Sequence, residues 1–319
     1  MESSIMYKSK THLIQGRKVK FNFERIPKHW IPNDPISTHT LNAAHIILPA
    51  GEFWFCRVFN KALPYISDEK LKLDVKGFIH QEAIHGRTHE KARKYFEEHQ
   101  LDVQNFTTKM NYLFEILLGE KPIGFSVLNH LVDDKKWLVI RLGLIAAIEH
   151  YTGVVGQWSL DNKSLDDADS IMTDLFRWHL AEEVEHRNVA FDLFKHMFES
   201  DFSFQVSKNL LMLFIFPALA GVWLSATRAL LRQDVDSGKL GKIGALHLLI
   251  TIEKIARKTD HLPKISHLAA ATFRWFSPKF HPEDEGDTQQ ALEYLARSPA
   301  AKDAQQGKII VEKSILRYS

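Results

Sequence analysis

Residues 178–192 read WHLAEEVEHRNVAFD, and residues 78–89 read FIHQEAIHGRTH. Each holds a glutamate followed three residues later by a histidine, Glu82 with His85 and Glu183 with His186. On a helix, positions three apart share a face and reach a common point. With His179 taken as zero and about 100° per residue, Met172, Leu175, Phe176, Ala190, Leu193 and Met197 fall on an apolar stripe from about −40° to +60°. Glu183, at about +40°, and His186, at about −20°, lie inside it. Glu182, near −60°, sits at its edge and Glu185 points well away, so the angles predict both as solvated side chains.

Two further glutamates, Glu52 and Glu149, lie on the apolar faces of predicted helices upstream of these pairs. A carboxylate buried without a partner costs several kcal/mol, so four of them inside a helical interior call for a cation. The chain order Glu, Glu-x-x-His, Glu, Glu-x-x-His suits two cations held between four helices and bridged by carboxylates about 3.5–4 Å from ion to ion. The gaps of 30 residues from Glu52 to Glu82 and 34 from Glu149 to Glu183 fit two antiparallel hairpins. His179, one turn before Glu183, is either a third imidazole ligand or a satisfied core histidine, and the nearby site favours the ligand reading. His89 reads as a residue behind the site or in the core, and His45 as core.

Helical spacing runs outward from these motifs. Leu41, His45, Leu48, Glu52, Cys56, Phe59 and Leu63 form one face, with Pro49 predicted as a kink and Pro64 as the end. Ser67 is the expected N-cap of the next helix, which continues to Phe96. Residues 102–118 and 123–131 are predicted as shorter connecting helices around a Gly119 to Pro122 breaker. A helix from Trp137 to about Tyr151 follows, loosened at its end by Gly153 and Gly156, and a long one from Ser164 to about Phe198. No stretch alternates like a strand, so the predicted fold is all-α, a four-helix bundle of two antiparallel hairpins with additional connecting and C-terminal helices.

The expected organisation is an irregular N-terminal arm over 1–36, a dinuclear-metal bundle over 37–200, apolar C-terminal helices over 201–276 and a polar, loop-rich tail over 277–319. Within the third part, Leu210 to Leu224 (LLMLFIFPALAGVWL) is uncharged and interrupted by Pro217. It is short for a membrane span, which takes about 20 apolar residues. It reads first as a buried core helix and second as a membrane-dipping segment or the wall of a lipophilic-substrate site. The segment from Gly244 to Ile255 is expected to pack against it.

Composition excludes several classes. With 41 basic and 39 acidic side chains, the net charge of +2 gives no bias toward nucleic acid. One cysteine, Cys56, allows no intrachain disulfide, and a metal site must use nitrogen and oxygen donors. The N-terminus lacks a signal-peptide core, so the expected location is cytoplasmic, with membrane association through 210–224 as an addition.

The motif set resembles the ferritin-like superfamily, and its seven-residue pattern is similar to that of the p-aminobenzoate N-oxygenase family. That resemblance implies Glu52, Glu82, His85, Glu149, His179, Glu183 and His186 as ligands of two iron ions. Over a longer stretch, from about Thr11 to the HPEDEGD segment, the chain resembles bacterial proteins grouped as a "predicted metal-dependent hydrolase" family. LPAGEFWF, FIHQEAIHGRTH, AAIEHYTG and WHLAEEVEHRNVAFD carry the likeness. Donors without thiolate suit iron, manganese or a mixed pair. The first functional expectation is therefore a di-iron oxygenase or oxidase acting with O2 and an electron donor on a small organic substrate, with the 210–224 segment hinting at a lipophilic one. Hydrolysis by two metals is the alternative, and a non-enzymatic metal bundle the second alternative. The glutamates and histidines would be ligands rather than acid/base groups, with Phe53, Phe78, Phe176 and Trp178 excluding water. A homodimer is also allowed for.

Overall fold

Aspartates and one serine cap half of the α-helices among the described residues. Asp34 accepts from Ser37 N at the head of α1 (Pro35–Asn42), whose first residue is a proline with no N–H to satisfy. The chain pauses at Ala43 and resumes as α2 (Ala44–Ala62). Pro49 lies inside α2, so the expected kink is displaced: a proline ring crowds the carbonyl four residues back, His45, and the interruption falls on that side. The cap of α3 (Glu69–Lys91) is Asp68 rather than Ser67, with its carboxylate accepting from Leu71 N. The short α4 (Arg93–Glu98) and α5 (Gln104–Asn111) follow, and α5 runs into a π-helical turn over Tyr112–Leu117.

The computed structural model describes residues 12–121 and 132–306. The predicted helix at 123–131 lies outside them. Beyond it α6 (Asp134–Asp161) starts at Asp133 and continues through Gly153 and Gly156, past the expected end at Tyr151. Those glycines admit a neighbouring helix instead of loosening their own. A Cβ on Gly156 would stand 2.5 Å from Leu180 O, and one on Gly153 3.1 Å from Arg187 Cβ. The neighbour is α7 (Ser170–His186), which begins at the Asp169 cap, five residues later than the expected Ser164 cap, and stops after His186. Residues expected to prolong it form a separate α8 (Val189–His196).

Hairpins α2–α3 and α6–α7 face each other to make an all-α bundle, and no strand occurs among the described residues. Residues 12–34 are not helical, yet Val19, Phe23, Ile26, Trp30 and Ile31 are buried, with Trp30 stacked on Phe176 and donating to Asn42 Oδ1. The arm therefore belongs to the core. α9 (Asp201–Gln233) packs one face on α1 and α6, and α10 (Ala245–Thr259) and α11 (Ile265–Trp275) pack on α9. The other face of α9 is open: Phe202, Leu210, Leu213 and Phe214 are exposed, which corrects the core-helix reading of 210–224.

The loop-rich tail is corrected as well. α12 (Thr288–Arg297) buries Ala291 and Leu295 against α7, and Tyr294 Oη donates to Asp174 Oδ1 at 2.8 Å. Polar residues at 281–287 hide this, because their character belongs to the 3-10 turn and cap that precede the helix.

Candidate metal centre

α2 contributes Glu52, α3 Glu82 and His85, α6 Glu149, and α7 His179, Glu183 and His186. All seven are buried to 2% exposure or less, at the level where the two hairpins face. Their potential ligand atoms fall into two sets. Glu52, His85 and His179 lie within 4.8 Å of one another, as do Glu82, Glu149, Glu183 and His186.

Two carboxylates connect the sets. Glu183 Oε1 is 2.7 Å from His179 Nε2 and 3.3 Å from His85 Nδ1, while its Oε2 is 3.2 Å from His186 Nε2. Glu82 Oε1 is 3.5 Å from His85 Nδ1 and 3.3 Å from His186 Nε2. Glu52 faces the first set, through His179 Nε2 at 3.5 Å, and Glu149 the second, through His186 Nε2 at 3.2 Å. The glutamates of the Glu-x-x-His pairs are thus central and the other two terminal.

Whether these residues fit metal ions can be judged from their unmade hydrogen bonds. Both carboxylate oxygens of Glu52, Glu82 and Glu149 and Nδ1 of His85 are buried with no hydrogen-bond partner. Buried polar atoms are paired in about nine cases in ten, so seven orphans converging on one place need an explanation. Divalent cations supply one, since they pair with every such atom at once. Burial, reinforced by neighbouring carboxylates, holds the Glu52 and Glu149 carboxyls well above the usual range and raises Glu82. Glu183 goes the other way: burial opposes ionisation, but His186, His179 and His85 outweigh it. Cys56 Sγ donates to Ile79 O, and burial pushes its thiol up to about 12.

Behind the histidines stands a second layer that fixes which nitrogen faces inward. His85 Nε2 is 2.8 Å from Glu182 Oε2, leaving Nδ1 for the centre. His186 Nδ1 is 2.9 Å from Gln81 Oε1, whose amide nitrogen donates to Glu185 Oε2. His179 Nδ1 is 2.6 Å from His89 Nε2, and His89 Nδ1 is 2.7 Å from His45 Nδ1. His89 and His45 therefore line up outward behind His179.

Glu182 and Glu185 correct the sequence reading, for neither is solvated: they are 0% and 8% exposed. The arm covers them. Arg17 NH1 donates to both at 2.8 Å, and His12 Nε2 lies 2.5 Å from Glu185 Oε1. Burial alone would raise Glu185, but these contacts and Gln81 hold it down at about 2. A helical wheel could not reveal this, because the partners lie more than 160 residues away.

Aromatic rings enclose the centre. Phe78 packs edge-on against His186 and Trp178 against His85. Phe53 fills the space at Gly86, where a Cβ would stand 2.9 Å from its ring. Phe176 lies one layer out, beside His45 and His89. A separate group, His29, His39 and Asp234, has a different character. Asp234 Oδ2 is already bonded by both imidazoles, at 2.7 and 3.0 Å, and Lys28 lies 3.7 Å from Oδ1. It is a hydrogen-bonded tie between the arm, α1 and the end of α9.

A family model described as "Predicted metal-dependent hydrolase" matches residues 15–286. No curated protein and no solved structure matches the chain. The match covers most of the 319 residues, and the chain belongs to this family. Its description agrees with the hydrolytic alternative read from the sequence and names neither iron nor oxygen chemistry.

Proposed function

We propose that this family member is a dinuclear metal-dependent enzyme. Glu52, His85 and His179 would hold one ion and Glu149 and His186 the other, with Glu82 and Glu183 lying between the two sets. The observation that carries this is the convergence of six unpaired carboxylate oxygens and one unpaired imidazole nitrogen in a buried volume. Two such ions supply Lewis acidity and a lowered pKa for a shared water. The family description makes hydrolysis the first reading, and Lewis-acid activation of this kind suits an ester or amide bond. The chain's own contribution is to hold the donors in register through Glu182, Gln81 and His89, and to exclude bulk water with Phe78 and Trp178.

A second reading, O2-dependent oxidation of a small, apolar substrate, is favoured by the donor set itself. Four carboxylates and three imidazoles without a thiolate suit iron or manganese, and the surrounding rings would confine an oxidant. This reading requires O2 and an electron donor as partners.

The test begins with elemental analysis of purified protein, where about two ions per chain are expected. Metal content well below one per chain would remove both readings. The protein is then loaded with zinc, manganese or, without air, ferrous ion, and ester turnover and O2 uptake are measured. Ester turnover indifferent to O2 supports hydrolysis; O2 uptake coupled to substrate loss, without ester turnover, transfers the assignment to oxidation.

A further inference from the structure

The open face of α9 has no role in the metal centre. Phe202, Val206, Leu210, Leu213 and Phe214 are 78, 43, 53, 60 and 70% exposed, and their spacing of three and four residues sets them along one side of the helix. Pro217, Ala218 and Gly221 continue that side without a charge. Leu246 and Ile250 on α10 and Phe273 on α11, both packed on α9, are exposed as well. Soluble monomers rarely leave so long an apolar surface uncovered.

Both α6 and α9 are long and apolar enough to cross a membrane, but they differ in burial. The most apolar stretch of α6 is 67% buried and that of α9 only 22%. α9 does not suit a span either. Phe204, Met212, Ile215, Leu230 and Leu231 on its inner face are buried, and the helix packs on α1 and α6. Lys208, also on that face, donates to Ser277 O. A helix fixed in a core on one side and apolar on the other suits a bilayer surface.

Charge identifies the partner. Residues 201–280 carry eleven Lys and Arg against five Asp and Glu, a net of +6, whereas the whole chain has only +2. Lys239, Lys242, Lys254 and Lys258 are exposed, and four of the five acids already face a basic partner: Asp201 faces Lys195, Asp234 two imidazoles, Asp236 Lys28 and Glu253 Arg257. We propose that this face docks the protein on an anionic lipid bilayer, with α9 lying in the membrane plane. Leu213 and Phe214 enter the boundary between headgroups and acyl chains, and the lysines of the C-terminal segment meet lipid phosphates. A second copy is the poorer occupant, because a twofold contact sets a surface against itself and would bring two basic segments together. The proposal is independent of the metal reading.

Flotation of the full-length protein with vesicles tests it. Phosphatidylcholine containing about one third phosphatidylglycerol is compared with phosphatidylcholine alone. Binding is expected to the anionic vesicles, at least about fivefold weaker to the neutral ones, and to decline with added salt. The double substitution Leu213→Glu with Phe214→Glu should lower binding about tenfold or more while leaving the melting temperature unchanged, because both side chains are exposed. Failure to float with either vesicle overturns the proposal, as does unchanged binding by the double variant. So does a dimer in analytical ultracentrifugation that the double variant splits, since the face would then belong to a second copy.

Discussion

Arg17 pairs with two carboxylates at once, at 2.8 Å from each, and its side chain is only 12% exposed. Replacing it by methionine preserves much of the packing but leaves Glu182 and Glu185 buried with less compensation. Arg17→Met should therefore cost about 3–5 kcal/mol in urea unfolding; a loss under about 1 kcal/mol would mean that water reaches the pair. Glu182→Gln asks a narrower question, because it keeps an acceptor for His85 and removes the charge behind it. Competition against a chelator should show metal affinity about 10–100-fold weaker. Lys208 provides a test by pH. Burial, then repulsion from Lys195, lowers it to about 8 from an ordinary 10.5. Between these values the unfolded chain binds the proton and the folded one does not, so stability contributed at this position rises with pH. The stability difference between Lys208→Met and the parent should therefore shift in the parent's favour from pH 8 to 10.5, and a constant difference would contradict the shift. Angles about a helix axis were enough to single out Glu183 and His186 in the sequence. They failed for Glu182 and Glu185, because the wheel treats every direction off the stripe as water, whereas here residues 12–17 lie over it.

Helix starts and close approaches belong to the scale of elements. Periodicity located α2, α3, α6 and α7, but Asp68 and Asp169 rather than Ser67 and Ser164 begin two of them. Local sequence offers several capping side chains within a few residues, and only tertiary contacts choose among them. The glycines of α6 show the same limit. A glycine in a helical pattern reads as a loosening element from propensity, yet Gly156 is the point at which α6 meets α7. A methyl group added there would stand 2.5 Å from Leu180 O and 2.7 Å from Val184 Cγ2. Gly156→Ala must separate the two backbones, at an expected cost of about 1–3 kcal/mol. Glu149 rides on α6 opposite Glu183 and His186, so the same substitution should weaken binding of the ion proposed at that set. Elemental analysis should then fall toward one ion per chain. Full occupancy together with parental stability would show that the helices absorb the methyl elsewhere.

For the whole molecule, the all-α class was legible because a 3.6-residue period repeats over most of the chain and no alternation competes with it. How the arm, α9 and α12 sit on the bundle was not, since burial of a segment depends on partners that periodicity does not name. The candidate metal centre connects the scales: it lies between all four core helices, so its charge state bears on the stability of the entire fold. With no cation, Glu52, Glu82 and Glu149 have raised carboxyl pKa values in an interior that offers their oxygens no hydrogen bonds. An ion that binds the folded chain alone stabilises it by RT ln(1 + [L]/Kd), about 4 kcal/mol at a thousandfold excess over Kd. For a chain of 319 residues that corresponds to a melting temperature higher by roughly 6 °C. Dialysis against a chelator should lower the transition by that order, and manganese or anaerobic ferrous ion should restore it. Protons compete for the same carboxylates, so the gap between metal-loaded and metal-free protein should narrow as pH falls. Calorimetric traces that coincide with and without chelator, at a metal content verified by elemental analysis, would mean that Glu52, Glu82 and Glu149 are accommodated by protonation and not by cations.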